Sequence, residues 1–302
     1  SATFADKNVG TGKTVSISGI SLSGTDAGNY SLASTSASAS AAISAKSITV
    51  SFTASDKAYD GTTSATISSA LSGVISGDTV TIAYTSAIFA DKDIGTGKSI
   101  AISGLSLSGS SAANYLLGTT VATASASITA KQLTVTYTAS DKVYDGSSSA
   151  IVTQSVSGVV GSEVITVSSS AATFADKNVG TGKTVTISGL SLGGADAGNY
   201  TLSSTSTTTT AAITAKSLTA SYTASDKTYD GSTTATVSAS SSDIVTGDAV
   251  TISHSSATFA DKNVGTGKTV SISGISLSGT DAGNYSLARD RKSTRLNSSH
   301  RC

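Results

Sequence analysis

The sequence predicts an all-β protein made of small tandem modules, and three observations support this prediction. Short runs alternate apolar and polar residues, as strands with one buried face do. Gly and Asp turn signals separate these runs at intervals of about 8–12 residues. One unit of 85 residues recurs without a change of register, and a strict long period indicates tandem domains. The period is marked by the phenylalanines of the string F-A-D-K, which are Phe4, Phe89, Phe174 and Phe259.

The period divides the chain into four copies, numbered here in chain order. Repeat 1 (residues 1–47) is the C-terminal part of a unit, repeats 2 and 3 (48–132 and 133–217) are complete, and repeat 4 (218–288) is truncated. Ser1 falls in the middle of a unit and the chain has no Met. We therefore expect an internal fragment of a longer protein.

Residues 289–302 depart from the period. Repeat 4 copies repeat 1 up to Ala288, but Arg289 stands where Ser34 predicts a serine. The string D-R-K-S-T-R-L-N-S-S-H that follows resembles a translated short-read sequencing adapter. We predict that residues 289–302 are a library artefact and not a basic tail that binds nucleic acid. Without them the chain has 14 basic and 18 acidic residues, a net charge of −4.

Composition excludes several function classes. Charged residues are only 13% of the chain, and its single cysteine, Cys302, lies in the predicted artefact. The rest therefore has no disulfide, thiol nucleophile or cysteine metal site. No basic patch for nucleic acid is present, and no run approaches the roughly 18 apolar residues of a membrane helix. This composition suits a large exported bacterial protein.

Repeat 3 shows the predicted order of elements within a unit. We predict strands at 133–137, 150–156, 163–167, 184–192 and 211–216. Residues 172–179 are predicted to be extended, and 196–202 to lead into the penultimate strand. Asp145-Gly146 is a turn signal, Gly180–Lys183 reads as a glycine-rich loop, and Gly189 is a candidate bulge. Phe174 and Val179 are expected to anchor the core. Only 215–217 separates this repeat from the next.

These elements favour a small immunoglobulin-like β-sandwich, repeated in an elongated array. The alternative is a β-grasp-like module with one short helix near Ser191–Asn199. Aromatic residues that keep the period are predicted to have structural roles. They are Tyr30, Tyr115, Tyr200 and Tyr285, then Tyr59, Tyr144 and Tyr229, then Phe89, Phe174 and Phe259.

Two strings resemble known motifs. G-T-G-K-T, as at Gly180–Thr184, resembles the end of a phosphate-binding loop, but Lys177 stands where that motif needs Gly. The residues that follow read as a strand, so we interpret the string as a hairpin loop. D-A-G-N-Y, as at Asp196–Tyr200, has the D-x-G-x-Y form of a tyrosine corner, in which the hydroxyl bonds to upstream backbone. Repeat 2 reads S-A-A-N-Y, so the Tyr persists without the Asp and Gly.

No residue pattern predicts catalysis or a cofactor. His254 occurs in one copy only, and Glu163 is the only glutamate, whereas a repeated enzyme needs its acid, base or nucleophile in every copy. Aspartates could supply oxygen ligands to Ca²⁺, but turn formation and pairing with neighbouring lysines is the preferred interpretation. The Ca²⁺ candidates are Asp141, Asp145, Asp226 and Asp230.

The strings K-x-Y-D-G, F-A-D-K-N-V-G-T-G-K-T-V, D-A-G-N-Y-T-L and I-T-A-K together resemble the YDG domain. The resemblance covers essentially all of residues 1–288. Repeat 2 departs from it with Asp93-Ile94 in place of Asn-Val and with the loss of D-A-G. The resemblance implies tandem arrays in large secreted bacterial adhesins of the filamentous haemagglutinin type, displayed at the cell surface, with no catalytic residue.

We therefore expect a stalk that holds a distal binding domain away from the cell, each repeat contacting its neighbours in the chain. The alternative is that the repeats themselves bind a host-surface or matrix glycan or protein through weak multivalent contacts. An exposed Tyr or Asn ladder along the repeats would favour this alternative.

Overall fold

A computed structural model describes residues 1–288 and the short strand Ser298–Ser299. The predicted artefact at 289–302 otherwise lies outside the described residues. Clustering of contacts gives two compact units. The first comprises Ser1–Lys131, Val160–Ser162 and Gly198–Thr201, and the second comprises the other residues from Gln132 onward.

The described residues form an all-β structure of many small sheets and contain no α-helix. The strands of repeats 1 and 2 are β1 (Ala2–Phe4), β2 (Gly10–Ser18), β3 (Ser36–Ile43), β4 (Lys46–Ala54), β5 (Lys57–Ala58), β6 (Ile67–Ser72), β7 (Thr81–Ala83), β8 (Ser86–Phe89), β9 (Gly95–Ser103), β10 (Ser106–Ser108), β11 (Tyr115–Leu117) and β12 (Val121–Thr129). A three-residue 3₁₀ turn directly precedes the tyrosine of each D-A-G-N-Y string or its equivalent. These turns are Ala27–Asn29, Ala112–Asn114, Ala197–Asn199 and Ala282–Asn284.

Repeat 3 has the same order of strands as repeat 2, whereas in repeat 4 two long strands are each divided in two, as β22–β23 and β27–β28. Their strands are β13 (Lys131–Ala139), β14 (Lys142–Val143), β15 (Val152–Ser157), β16 (Thr166–Ser168), β17 (Ala171–Phe174), β18 (Gly180–Ser188), β19 (Ser191–Gly193), β20 (Tyr200–Leu202), β21 (Ser206–Thr214), β22 (Lys216–Leu218), β23 (Ser221–Ala224), β24 (Val237–Ser240), β25 (Thr251–Ser253), β26 (Ser256–Phe259), β27 (Thr266–Lys268), β28 (Val270–Ser273), β29 (Ser276–Ser278) and β30 (Tyr285–Leu287), followed by β31 (Ser298–Ser299). The first strands of repeats 2, 3 and 4 begin at Lys46, Lys131 and Lys216, two residues before the predicted starts of these repeats.

Repeat 2 shows the sheet order of a complete unit. One sheet has the order β11-β4-β6, the other has the order β5-β12-β9-β8, and β7 pairs with β10. Most pairs are antiparallel, but β4 runs parallel to β11, and β5 runs parallel to β12. The beginning and the end of the repeat therefore lie side by side in one sheet. In repeat 3, β14 and β21 form the equivalent parallel pair.

Alternation along the strands sets the core. Ile100 and Ile102 of β9, like Val185 and Ile187 of β18, are at most 1% exposed, because every second residue of a strand points to the same face. Burial of each such side chain stabilises the fold by about 1.5–3 kcal/mol. In the second unit one buried cluster contains Tyr144, Phe174 and Ile213 of repeat 3 together with Leu218 and Tyr285 of repeat 4. The core of repeat 3 thus continues into repeat 4.

Several sequence predictions need correction. Gly180–Lys183 is not a loop: it opens β18, and the bulge in that strand lies between Gly180 and Lys183, not at Gly189. Val179 is 36% exposed, because it lies in the loop before that strand. The last strand starts at Ser206, well before the predicted residue 211, since its Ser/Thr run carries no apolar alternation.

The segment proposed as a short helix in the β-grasp alternative, Ser191–Asn199, holds β19 and a 3₁₀ turn instead.

Candidate functional site: the junction between repeats

The candidate site is the junction at which one repeat meets the next. Three of the recurring strings lie on the two sides of this contact: K-x-Y-D-G and F-A-D-K on the leading repeat, and D-A-G-N-Y on the following one. The junction between repeats 1 and 2 lies within the first unit, and the junction between repeats 3 and 4 lies within the second. The first unit also contains part of the junction between repeats 2 and 3.

The lysine of K-x-Y-D-G folds back to build the turn on which the tyrosine sits. Lys142 Nζ donates hydrogen bonds to Asp145 at 2.8 Å and to the Ser147 carbonyl at 2.8 Å. It also lies over the Phe174 ring, 5.7 Å from its centroid. Asp145 accepts the Ser147 backbone N–H at 2.8 Å, which closes the turn. Lysine hydrogen bonding lowers the pKa of the Asp145 carboxyl, so the acid stays ionised at neutral pH.

The aspartate of F-A-D-K fixes the loop that carries the next junction residues. Asp176 accepts the Asn178 backbone N–H at 2.7 Å and binds Lys183, the lysine of G-T-G-K, at 2.6 Å. The same contacts recur at the equivalent aspartates and lysines, Asp6 with Lys13, Asp91 with Lys98 and Asp261 with Lys268. The G-T-G-K lysine therefore pairs with a carboxylate of its own repeat.

An asparagine of the following repeat clasps this loop. The Asn284 side-chain oxygen accepts the Val179 backbone N–H at 2.9 Å, and its Nδ2 donates to the Asn178 side-chain oxygen at 3.2 Å. Asn284 is only 4% exposed, so both contacts are shielded from water. Asn114 binds Val9 and Asn8 in the same way, at 2.8 and 3.1 Å.

The clasp tolerates the departure of repeat 2 from the common sequence. Asn199 accepts the Ile94 backbone N–H at 3.0 Å and donates to the Asp93 carboxylate at 3.0 Å. An aspartate can replace the usual asparagine here because the position only has to accept a hydrogen bond.

Two tyrosines and a glycine form the apolar part of the junction. The Tyr144 and Tyr285 rings meet edge to face with centroids 5.5 Å apart, and Tyr59 and Tyr200 do the same at 5.5 Å. This geometry is favourable by about 0.5–1.5 kcal/mol beyond area burial. A Cβ added to Gly146 would lie only 2.7 Å from Val245 Cγ1 of the next repeat. The Gly of Y-D-G thus permits close approach of the next repeat.

Asp248 is the polar centre of the junction between repeats 3 and 4. Its side chain is 3% exposed and accepts hydrogen bonds from the Tyr144 hydroxyl at 2.8 Å, the Tyr285 hydroxyl at 2.7 Å and Lys177 at 2.9 Å. Burial opposes ionisation, but these three donors outweigh it and lower the pKa of the Asp248 carboxyl. The bonds from Asp248 and Tyr144 raise the pKa of Lys177, which keeps the pair charged.

The Tyr285 hydroxyl also fixes its own repeat. It accepts the Val245 backbone N–H at 2.8 Å, 40 positions upstream. Tyr115 and Tyr200 accept the Ile75 and Val160 N–H groups at the same separation. Burial, then the bond to Asp248, raises the pKa of Tyr285 to about 12. This tyrosine bonds to upstream backbone, as a tyrosine corner does, and also reaches into the junction.

The predicted structural aromatics divide into two groups. Tyr115, Tyr200, Tyr285, Tyr59, Tyr144, Phe89, Phe174 and Phe259 are all at most 6% exposed. Tyr30 and Tyr229 differ, at 73% and 58% exposed. Repeat 1 lacks the half of the unit that covers Tyr115 in repeat 2.

The Ca²⁺ candidates take part in protein contacts. Asp141 accepts the Ala212 backbone N–H at 2.6 Å, while Asp145 and Asp230 pair with Lys142 and Lys227 at 2.8 and 2.9 Å. Asp226 also makes a contact within the protein. In the part of the chain that the structure describes, no three His, Cys, Asp or Glu side chains cluster as metal ligands. His254 lies edge-on to Tyr222, with ring centroids 6.5 Å apart.

Sequence reasoning missed the junction asparagines and Asp248. The signal was present, because Asn114 persists in repeat 2 even where the Asp and Gly of D-A-G-N-Y are lost. Asp78 and Asp248 lie two periods apart, with Glu163 at the equivalent position of repeat 3. Asp78 pairs with Lys7 at 2.6 Å across the first junction. These polar residues looked like turn formers, since their partners lie 71 to 106 positions away.

Over residues 1–288 and 298–299, no helix has the length and hydrophobicity required to cross a bilayer.

Comparison with protein families gives a consistent match. The YDG domain model matches four times, at residues 1–37, 44–124, 129–210 and 214–294. No curated protein and no solved structure matches the chain. The four matches follow the 85-residue period, and the residues that build the junction lie inside them. The chain therefore belongs to the YDG domain family.

Proposed function

We propose that this chain is a spacer: a row of YDG repeats that holds a distal binding domain of a bacterial adhesin away from the cell. The recurring junction is the observation that carries the proposal. An asparagine clasp recurs at all three junctions, and a tyrosine pair joins repeat 2 to repeat 3 and repeat 3 to repeat 4. Between repeats 3 and 4 the buried core is also continuous. Flexible linkers would leave such neighbours free to reorient, whereas these contacts oppose reorientation.

The topology of one repeat supports an elongated array of small β-sandwich modules. Because β5 and β12 run parallel, the chain enters a repeat near one end of this pair and leaves near the other. In the proposed array each repeat would then add length. With nine residues in β12, one repeat contributes on the order of 30 Å.

Secretion and surface display are part of the proposal. They follow from the resemblance of the repeats to those of filamentous haemagglutinin-type exoproteins. The absence of cysteine from residues 1–288 and the abundance of Ser and Thr suit an exported, soluble spacer. In the alternative, the repeats would bind a glycan or protein surface directly.

The direct-binding alternative predicts an exposed row of Tyr or Asn side chains along the repeats. Tyr115, Tyr200 and Tyr285 are buried, and Asn199 and Asn284 are used within the junctions. The residues that would carry weak multivalent binding are thus occupied by contacts between repeats. We therefore prefer the spacer.

Deleting one whole repeat, residues 133–217, tests the spacer function. Small-angle X-ray scattering should show a maximum dimension shorter by roughly 30 Å. Neither the full chain nor the deletion variant should bind to glycan arrays. A compact particle of unchanged length, or array binding that scales with repeat number, would contradict the proposal. Antibody labelling of intact producing cells tests surface display separately.

A further inference from the structure

We infer that the parallel pairs β5–β12 and β14–β21 are mechanical clamps that resist tension along the chain. The inference rests on the proposed spacer function, because only a chain held at both ends carries tension. It adds a property that the spacer role does not require: resistance to unfolding under load. The clamp is defined here, in repeat 3, as Asp141, Lys142 and Tyr144 with Ala212 and Thr214.

The clamp joins β14, the short strand that follows the first strand β13 of repeat 3, to the last strand of the repeat, β21. Lys142 and Val143 pair in parallel register with Ile213 and Thr214. The Tyr144 N–H donates to the Thr214 carbonyl at 2.8 Å, and the Thr214 hydroxyl donates to the Lys142 carbonyl at 3.2 Å. These bonds tie the first turn of the repeat to the strand through which the chain leaves it.

Asp141 adds a side-chain bond to this pair. Its carboxylate accepts the Ala212 backbone N–H at 2.6 Å. Repeat 2 has the same arrangement: Asp56 accepts the Ser127 N–H at 2.5 Å, and the Tyr59 N–H donates to the Thr129 carbonyl at 2.8 Å. The first aspartate of D-K-x-Y-D-G therefore recurs at a defined place between the two strands.

The direction of pull follows from the parallel pairing. Tension reaches β14 through the preceding strand β13 and draws it toward its N-terminal end, while β21 is drawn toward its C-terminal end. Since the strands are parallel, these two pulls act in opposite directions along one axis. The pair is loaded in shear, so its hydrogen bonds carry the load together. A pair loaded from one end would instead open one bond at a time.

The lysine of the clamp is anchored to the body of the repeat. Lys142 Nζ binds Asp145, Ser147 and Ser149, and it lies over the Phe174 ring. Lys57 binds Asp60 and Thr62 and lies over Phe89 in the same way. The short strand therefore cannot slide along its partner without breaking these contacts as well.

Single-molecule stretching of the full chain, held by its two ends, tests the inference. Repeats 2 and 3 should unfold as two separate events at constant force. Each event should lengthen the chain by about 280 Å, from about 3.6 Å per extended residue less about 30 Å of folded length. Asp141→Ala should speed the unfolding of one repeat under force about tenfold, equivalent to a barrier about 1.4 kcal/mol lower.

Asp176→Ala is the matched control. Asp176 also accepts one backbone N–H, from Asn178 at 2.7 Å, and in addition pairs with Lys183 at 2.6 Å, but all these contacts lie outside the clamp. Unfolding rates in denaturant without force show how far each variant weakens the repeat in general. The inference stands if Asp141→Ala accelerates unfolding more under force than in denaturant. Asp176→Ala should accelerate unfolding by no more under force than it does in denaturant.

Equal acceleration by the two variants under force, or none by Asp141→Ala, would overturn the clamp. Neither result would contradict the spacer function tested by scattering, since a chain can be extended and still unfold at low force. A chain that is compact in scattering but shows the force effect would overturn the spacer alone.

Discussion

Asn284 holds Val179 from 105 positions further along the chain, its side-chain oxygen accepting the Val179 backbone N–H at 2.9 Å. The amide nitrogen of the same side chain donates to Asn178. One buried side chain therefore satisfies two polar groups of the preceding repeat. Because Asn199 and Asn114 repeat the arrangement, the junction is part of the repeating design and not an accident of one contact.

Asn284→Ala should destabilise the second unit by about 1–3 kcal/mol, since it removes a buried side chain whose oxygen accepts the Val179 N–H and whose nitrogen donates to Asn178. Denaturant unfolding at equilibrium measures the change. Asn29→Ala is the matched control, because Asn29 stands in the same D-A-G-N-Y string but is exposed. The control should change the free energy of unfolding by less than about 0.5 kcal/mol. Equal losses in the two variants would show that the asparagine serves its own turn and not the junction.

Gly146→Ala should cost more than Gly231→Ala. Both glycines belong to Y-D-G strings and have nearly the same backbone, with φ of 80° and 81°. An added Cβ would meet Val245 at Gly146, but has open space at Gly231. The backbone strain is therefore common to both variants, and the difference reports the junction. We expect an excess of about 1–3 kcal/mol for Gly146→Ala in denaturant unfolding.

A result in which the two glycine variants lose the same stability would mean that only the turn conformation requires glycine. The close approach of Val245 would then contribute nothing measurable.

The sequence predicted the local features of this structure and missed the distant ones. Alternation at 184–192 predicted much of β18, and the period predicted where the buried aromatics Phe174 and Tyr144 recur. These features depend on side chains within a few positions of one another. Alternation is a local property of a strand, so it is visible in one short window of residues.

The junction was not predictable in this way. Val179 was expected in the core and is partly exposed, because the feature that matters there is its backbone N–H and not its side chain. In the sequence Asp248 looks like any turn aspartate, because its partners Tyr144 and Lys177 lie more than 70 positions away along the chain. Only the recurrence of an acidic residue at this position, as Asp78, Glu163 and Asp248, hinted at its role.

Alkaline pH should loosen the junction between repeats 3 and 4. Burial, then the bond to Asp248, raises the pKa of Tyr285 to about 12, against about 10 for a free tyrosine. A raised folded-state pKa gives stability that is fully present below about pH 10 and lost as the pH rises through about 12. The pKa of Lys177 is raised too, mainly by its bond to Asp248, so it acts in the same direction. Equilibrium unfolding at a series of pH values measures the loss.

Tyr285→Phe separates this contribution from the others. Burial also raises the pKa of Tyr137 and Tyr222, so the variant should retain part of the alkaline loss. It should start less stable at neutral pH, because the Val245 N–H and Asp248 lose a partner. Its stability should then fall less steeply between pH 10 and 12. An unchanged slope would rule out Tyr285 as a source of the pH dependence.

Nitration of tyrosine should distinguish covered from uncovered junction faces. Tyr229 is 58% exposed, whereas its counterparts Tyr144 and Tyr59 are each 1% exposed under the next repeat. Tetranitromethane should therefore modify Tyr229 and Tyr30 first, which peptide mass spectrometry can follow over time. The Asn284→Ala variant should raise the rate at Tyr144 while leaving the rate at Tyr59 unchanged, since Tyr59 contacts Tyr200 in the other junction. Rapid nitration of Tyr144 in the unaltered chain would mean that the repeats separate in solution, and the junction would then not hold them in place.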